Sequence, residues 1–150
     1  MNEYEITSET CALISVSENA TEVIELGKKF IIEDRLTDIL KRSCEFYGCT
    51  LEGRIKGSQM QLGMKYKLPI IIENTKEIIF FPTSSPRLEN CSWISLKNIK
   101  NYEENRFGSI IEFIDDNKLI LPISLESLEN QIFRATKLML ISRKRSKMEK

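Results

Sequence analysis

The chain has 150 residues, 41% hydrophobic and 29% charged, enough for one hydrophobic core and too little for two comfortable domains. It contains four cysteines and no histidine, so chemistry built on a histidine base, a histidine triad or a histidine metal ligand is excluded. Its 22 basic and 22 acidic residues cancel and the pI is about 6.4, which argues against a polyanion-binding surface spread over the whole molecule.

The distribution of charge is uneven. Residues 1–40 hold nine acids against three bases, whereas 41–67 hold six bases (Lys41, Arg42, Arg54, Lys56, Lys65, Lys67) against Glu45 and Glu52. Residues 134–150 hold seven bases (Arg134, Lys137, Arg143, Lys144, Arg145, Lys147, Lys150) against Glu149 alone. A neutral chain so divided can present a basic face.

In chain order, β-branched and aromatic runs bounded by polar turns predict strands over 4–7, 10–16, 22–26 and 28–33. Ile39, Leu40, Cys44 and Tyr47 recur at helical spacing and Gly48 offers a stop, which predicts a short helix over 37–47. Strands are expected over 70–73 and 78–81, followed by a Ser- and Pro-rich loop over 83–90. Residues 93–95 and 99–102 read as further strands. Those over 109–114 and 118–123 flank Asp115-Asp116-Asn117, where Asn117 is expected to take the left-handed conformation of a tight turn. Ser124 suits a helix cap, and Leu125, Leu128, Ile132, Ala135 and Met139 continue a helix to about Ile141. The fold class is therefore α+β: a single domain over 1–141, mainly antiparallel strands with one mid-chain and one C-terminal helix. Residues 142–150, polar and basic with no apolar period, read as a frayed tail.

No apolar run reaches eighteen residues and no charged-apolar-small leader opens the chain, so a cytoplasmic location without a membrane partner is expected. There Cys11, Cys44, Cys49 and Cys91 should be free structural thiols, since Cys44 and Cys49 lack a second close pair to complete a zinc site. No nucleophile has a base beside it, and Gly53 and Gly57 do not precede the Lys-Ser or Lys-Thr of a phosphate loop. Asp115 and Asp116 read as turn residues, and 78–81 with Trp93 reads as core rather than as a ligand pocket or base-stacking platform. Neither enzyme chemistry nor a metal or cofactor is expected.

Three stretches carry a family resemblance: RSCEFYGCTLEGRIKG at 42–57, LPIIIENTKEIIFFPTSSPRLENCSWIS at 68–95 and LPISLESLENQIFRATKL at 121–138. Their order and spacing over about 40–138 resemble the competence transcription factor family (ComK). The resemblance implies an activator of DNA-uptake genes that binds AT-rich boxes as pairing dimers, mainly through the minor groove, and meets the transcription machinery. Members of the family continue past the last helix into a tail used for activation and for capture by a proteolytic adaptor. This sequence ends at Lys150, so adaptor-protease control is not expected. An alternative is a short paralogue that forms mixed oligomers with a longer relative through the apolar face of the last helix.

Within this resemblance, residues 53–57 (Gly-Arg-Ile-Lys-Gly) read as a tight tip from which Arg54 and Lys56 project. An Arg so presented suits the negative potential of a narrow A-tract groove. A solvated hairpin with incidental charge is the competing reading. Arg42, Lys65 and Lys67 are candidate phosphate contacts. Arg134, Lys137, Arg143, Lys144 and Arg145 form a possible second contact for DNA or a partner. Because all four cysteines read as structural, protein purified without chelator should contain no stoichiometric zinc by elemental analysis; one equivalent would overturn that reading.

Overall fold

The computed structural model describes residues 3–86 and 91–148. Nine strands and three helices are present among them: β1 Thr10–Ser17, β2 Ala20–Glu25, β3 Lys28–Ile32, α1 Leu36–Phe46, α2 Leu51–Leu62, β4 Ile70–Glu73, β5 Ile78–Pro82, β6 Ser92–Ser95, β7 Ile99–Asn105, β8 Gly108–Phe113, β9 Lys118–Leu121 and α3 Leu125–Met148. The expected α+β class with mainly antiparallel strands is what forms. One sheet has six strands in the order β3-β2-β1-β6-β5-β4, and a second has three in the order β7-β8-β9.

The continuous apolar runs of β4 and β5 follow from burial on both faces. Ile70, Ile72, Ile78 and Phe80 point into one core with Leu13, Val23, Ile32 and Trp93, capped by Ile39, Leu40 and Cys44 of α1. Their neighbours Ile71, Ile79 and Phe81 point the other way. There they meet Ile94 from β6, Ile111 and Phe113 from the small sheet, and Leu128, Ile132, Ala135 and Leu138 from α3. Alternation along each strand thus serves two cores rather than a core and solvent.

Residues 4–7 do not form the expected strand. Tyr4 and Ile6 are buried, but the backbone of this segment pairs with side chains of α1 and of the residue that caps its C-terminus: Ile6 N–H donates to Ser43 Oγ at 2.8 Å, and Tyr47 O–H donates to the Ile6 carbonyl at 2.8 Å. A segment laid across a helix has no neighbouring strand, so side chains satisfy its polar groups.

Two turns refine the expectations. At the β8–β9 tip, Asp116 rather than Asn117 takes the left-handed conformation, with φ 71°. The Asp115 carboxylate accepts from Asn117 N–H and also from Gly27 N–H at 2.7 Å, tying the small sheet to the β2–β3 hairpin. At the first residue of β8, Gly108 has φ 138°, and a Cβ there would lie 2.5 Å from the Leu121 carbonyl oxygen. Only glycine fits that approach. Strand β9 ends at Leu121 rather than at 123.

The largest correction concerns residues 53–57, which are not a tip but the middle of α2. Thr50 caps this helix by accepting from Gly53 N–H at 3.0 Å. Leu51, Ile55, Ser58 and Leu62, at i, i+4, i+7 and i+11, form its packed side. That period and cap outweigh a cost of about 1 kcal/mol for each internal glycine. The last helix is also longer than expected: it continues to Met148, so 142–148 are helical rather than frayed. Ser142 and Arg143 reach Asn74 and Glu77 on the β4–β5 turn, polar anchors that an apolar periodicity cannot reveal. Of the loop expected over 83–90, residues 87–90 lie outside the described residues, as do 149–150 of the tail.

A Cβ at Gly57 would meet nothing within 4 Å. Gly57→Ala should therefore stabilise α2 by about 1 kcal/mol, raising the midpoint of thermal unfolding by about 2–4 °C in a chain of this size. An unchanged or lowered midpoint by circular dichroism would count against α2.

Candidate nucleic-acid interface

The cations of 41–67 do not all serve one surface. Arg42 donates to Asp34 at 2.6 Å, with both side chains largely covered, and this bond is the main cause holding the Arg42 guanidinium above its ordinary pKa. It braces α1 against the end of β3. Arg54 and Lys56 are two positions apart on α2 and so point about 200° apart around the helix axis. Arg54 is half-buried, its Nε–H donating to Cys49 Sγ at 3.2 Å, whereas Lys56 lies on the exposed side with Met60.

After α2, Gly63 turns the chain through a left-handed conformation into Lys65-Tyr66-Lys67. Lys65 and Tyr66 are exposed, and Lys67 has φ 52°, which costs a residue bearing a Cβ roughly 1–2 kcal/mol. What holds it there is Gln131 of α3, buried to 1% exposure. Its Nε2 donates to the carbonyls of Lys67 at 3.0 Å and Pro82 at 2.7 Å. The Gln131 Oε1 accepts from Arg134 at 3.1 Å, and Arg134 also reaches the Tyr66 carbonyl at 3.5 Å.

The structure thus brings together residues far apart in sequence: Lys65, Tyr66 and Lys67 from the α2–β4 connection, with Arg134 from the first half of α3. Lys137 follows one turn later on α3 and is exposed. Lys144 and Arg145, two turns further, are exposed beyond this cluster. Arg143 instead makes a two-pronged ion pair with Glu77, which lowers the Glu77 carboxyl below its ordinary range. Gln131 and Tyr66 were missed in the sequence. The available signal for Gln131 is a polar residue three positions after Leu128, on the face otherwise given to Ile132 and Ala135.

Beneath this connection lies a cavity of about 270 Å³ lined by Leu40, Leu51, Ile55, Leu68 and Trp93, with Lys65 and Lys67 at its edge. Trp93 belongs to the core and is 6% exposed; it lines that cavity rather than a stacking surface. Asp116 pairs with Lys100 at 2.7 Å, and with Asp115 it serves the turn. The cysteines are free, and among the described residues no group of three or more potential ligands is placed to hold a metal. Burial pushes the Cys11 thiol up to about 12, with Asp115 and Glu25 adding to the effect, and burial also raises Cys91. Among the described residues, no helix is long and apolar enough to cross a membrane.

The fold and this surface define a single-domain α+β protein with a local cluster of cations where the α2–β4 connection meets the first half of α3. The chain belongs to the ComK family: the model for the ComK protein matches residues 1–147. It is similar to the competence transcription factor of Bacillus subtilis (strain 168), 29% identical over 138 residues that cover 89% of this chain and 72% of that protein. No solved structure matches the chain.

Because Gln131 supplies two hydrogen bonds from a buried position, Gln131→Met keeps the volume and removes both donors. It should destabilise the fold by about 1–3 kcal/mol, the cost of buried acceptors left unpaired. Urea unfolding with an unchanged midpoint would show that the clamp carries no weight.

Proposed function

We propose that the protein is a transcription regulator of competence genes that binds AT-rich DNA as a dimer. Family membership is the observation that carries this reading, and the cationic surface around Lys65-Tyr66-Lys67 supports it. Phosphate contacts from Lys65, Lys67, Arg134 and Lys137 would fix position on the duplex without reading sequence. An α-helix is wider than a minor groove of about 6 Å, so α2 lies across the backbone in this reading and single side chains enter. Lys56 and Tyr66 are exposed for that purpose, whereas Arg54 supports α2 from its packed side. Such a regulator acts at the nucleoid and makes its own contacts with the transcription machinery.

A modulating partner of a longer relative is the second reading. The apolar face of α3 is not the surface it requires, since Leu128, Ile132, Ala135 and Leu138 are buried against the chain's own sheets. The opposite side carries Phe133 and Leu140, 61% and 54% exposed and two turns apart. Those two residues favour self-association through the outer side of α3, which both readings use.

Gel shifts on AT-rich and mixed-sequence DNA at two salt concentrations test the interface. Lys65→Ala and Lys67→Ala should each weaken both DNAs to a similar extent and flatten the salt dependence by about one unit. Lys56→Ala should cost about 1–3 kcal/mol on AT-rich sites and less on mixed DNA. Wild-type binding by the triple variant with normal thermal unfolding would remove this surface from consideration. Sedimentation should show a dimer at micromolar concentration that Phe133→Glu dissociates; monomers alone and on DNA with two boxes would refute the dimer.

A further inference from the structure

Helix α1 ends in a Schellman motif. Gly48, with φ 86°, donates its N–H to the Glu45 carbonyl at 3.0 Å, and Cys49 donates its N–H to the Cys44 carbonyl at 2.9 Å. That 6→1 bond makes Cys44 and Cys49 the two positions whose side chains this motif brings into contact. In most proteins the contact is hydrophobic; here both partners are thiols.

Their surroundings differ. Cys44 is fully buried in the core beneath α1, whereas Cys49 is half-buried at the α1–α2 junction. The Cys49 Sγ lies 3.2 Å from the Cys44 carbonyl oxygen and accepts from the Arg54 Nε–H at 3.2 Å. A guanidinium beside a sulfur stabilises negative charge as it develops there, the setting in which cysteines become reactive. Neither Cys11 nor Cys91, both buried, has an arginine hydrogen-bonded to its sulfur among the described residues.

We propose that Cys49 is a peroxide-oxidised thiol, with Arg54 as its positioning residue and Cys44 as the resolving thiol that converts it to a disulfide. In the first step the Cys49 sulfur attacks one peroxide oxygen and the O–O bond breaks. The sulfur is oxidised by two electrons to the sulfenic acid, and the departing oxygen takes the thiol proton and leaves as water or an alcohol. In the second step the Cys44 sulfur attacks the Cys49 sulfur and displaces hydroxide, which takes the Cys44 proton and leaves as water. Two thiols and one peroxide thus give one disulfide, one water and one further water or alcohol. Burial first, and then the neighbouring Cys49, pushes the Cys44 thiol up to about 12. Cys44 is therefore a poor first nucleophile. The chemistry does not depend on the DNA-binding reading.

Trypsin cuts after Arg42 and Arg54, so one peptide holds both thiols and mass spectrometry after hydrogen peroxide treatment of the folded protein reads the result directly. Expected is a peptide lighter by two hydrogens, with Cys11 and Cys91 still alkylated after denaturation. In Cys44→Ala the sulfenic acid should persist on Cys49 and be trapped by dimedone. Arg54→Gln should slow Cys49 oxidation by about tenfold, equivalent to about 1.4 kcal/mol, with Arg54→Lys between it and wild type. Should Cys44→Ala fail to fold, wild type and the Arg54 variants still decide. Oxidation of Cys49 no faster than of Cys11 or Cys91, an intermolecular link in place of the internal one, or an Arg54→Gln rate equal to wild type would each overturn the proposal.

Discussion

A six-stranded sheet with apolar residues on both faces cannot stand alone, and the architecture follows from covering it twice. Phe80 and Phe81, adjacent on β5 and both fully buried, state that constraint in two residues. One needs α1 and the N-terminal segment above it, and the other needs α3 and the small sheet below. Fully burying side chains of this size contributes about 1.5–3 kcal/mol each. Placement of the helices on opposite faces is therefore decided by the central strands rather than by preferences of the helices themselves.

Covering the second face is what creates the candidate surface. As α3 crosses beneath β5, one of its buried positions is Gln131, whose amide bridges the carbonyls of Pro82 and Lys67. A polar group at such depth is tolerable because its hydrogen-bonding capacity is used. The same bonds hold Lys67 in a left-handed conformation and set Lys65 and Tyr66 outward beside Arg134. Core packing and the exposed cations thus share one side chain, and strain at Lys67 is balanced by a clamp placed far along the chain.

On the first face, the end of α1 links packing to reactivity. Gly48 reverses the chain and Thr50 begins α2 within two residues, so Cys49 is held between two helix termini. Its sulfur faces Arg54, which the start of α2 presents one turn later. The segment from Cys44 to Arg54 is short, rigid and rich in directed hydrogen bonds, properties that favour defined chemistry over loose solvent exposure.

The nine strands from β1 to β9 in their order, the helix over α1 and the cap at Ser124 were legible in the sequence, since each rests on local period or local hydrogen bonding; the strand expected at 4–7 has no neighbour to pair with and does not form. The cap is confirmed by Ser127 N–H donating to Ser124 Oγ at 3.1 Å. The family was legible as well, because three motifs in order are a property of sequence itself. The glycines at 53 and 57 misled: their conformational freedom suggested a turn, while the cap at Thr50 and the period from Leu51 to Leu62 specified a helix. Pairing of Arg42 with Asp34, withdrawal of Arg54 to Cys49, and the meeting of Lys65 with Arg134 were decided only in three dimensions. Each depends on a partner brought close by tertiary packing, and a charge read along a chain carries no record of which counter-charge or carbonyl the fold will set beside it.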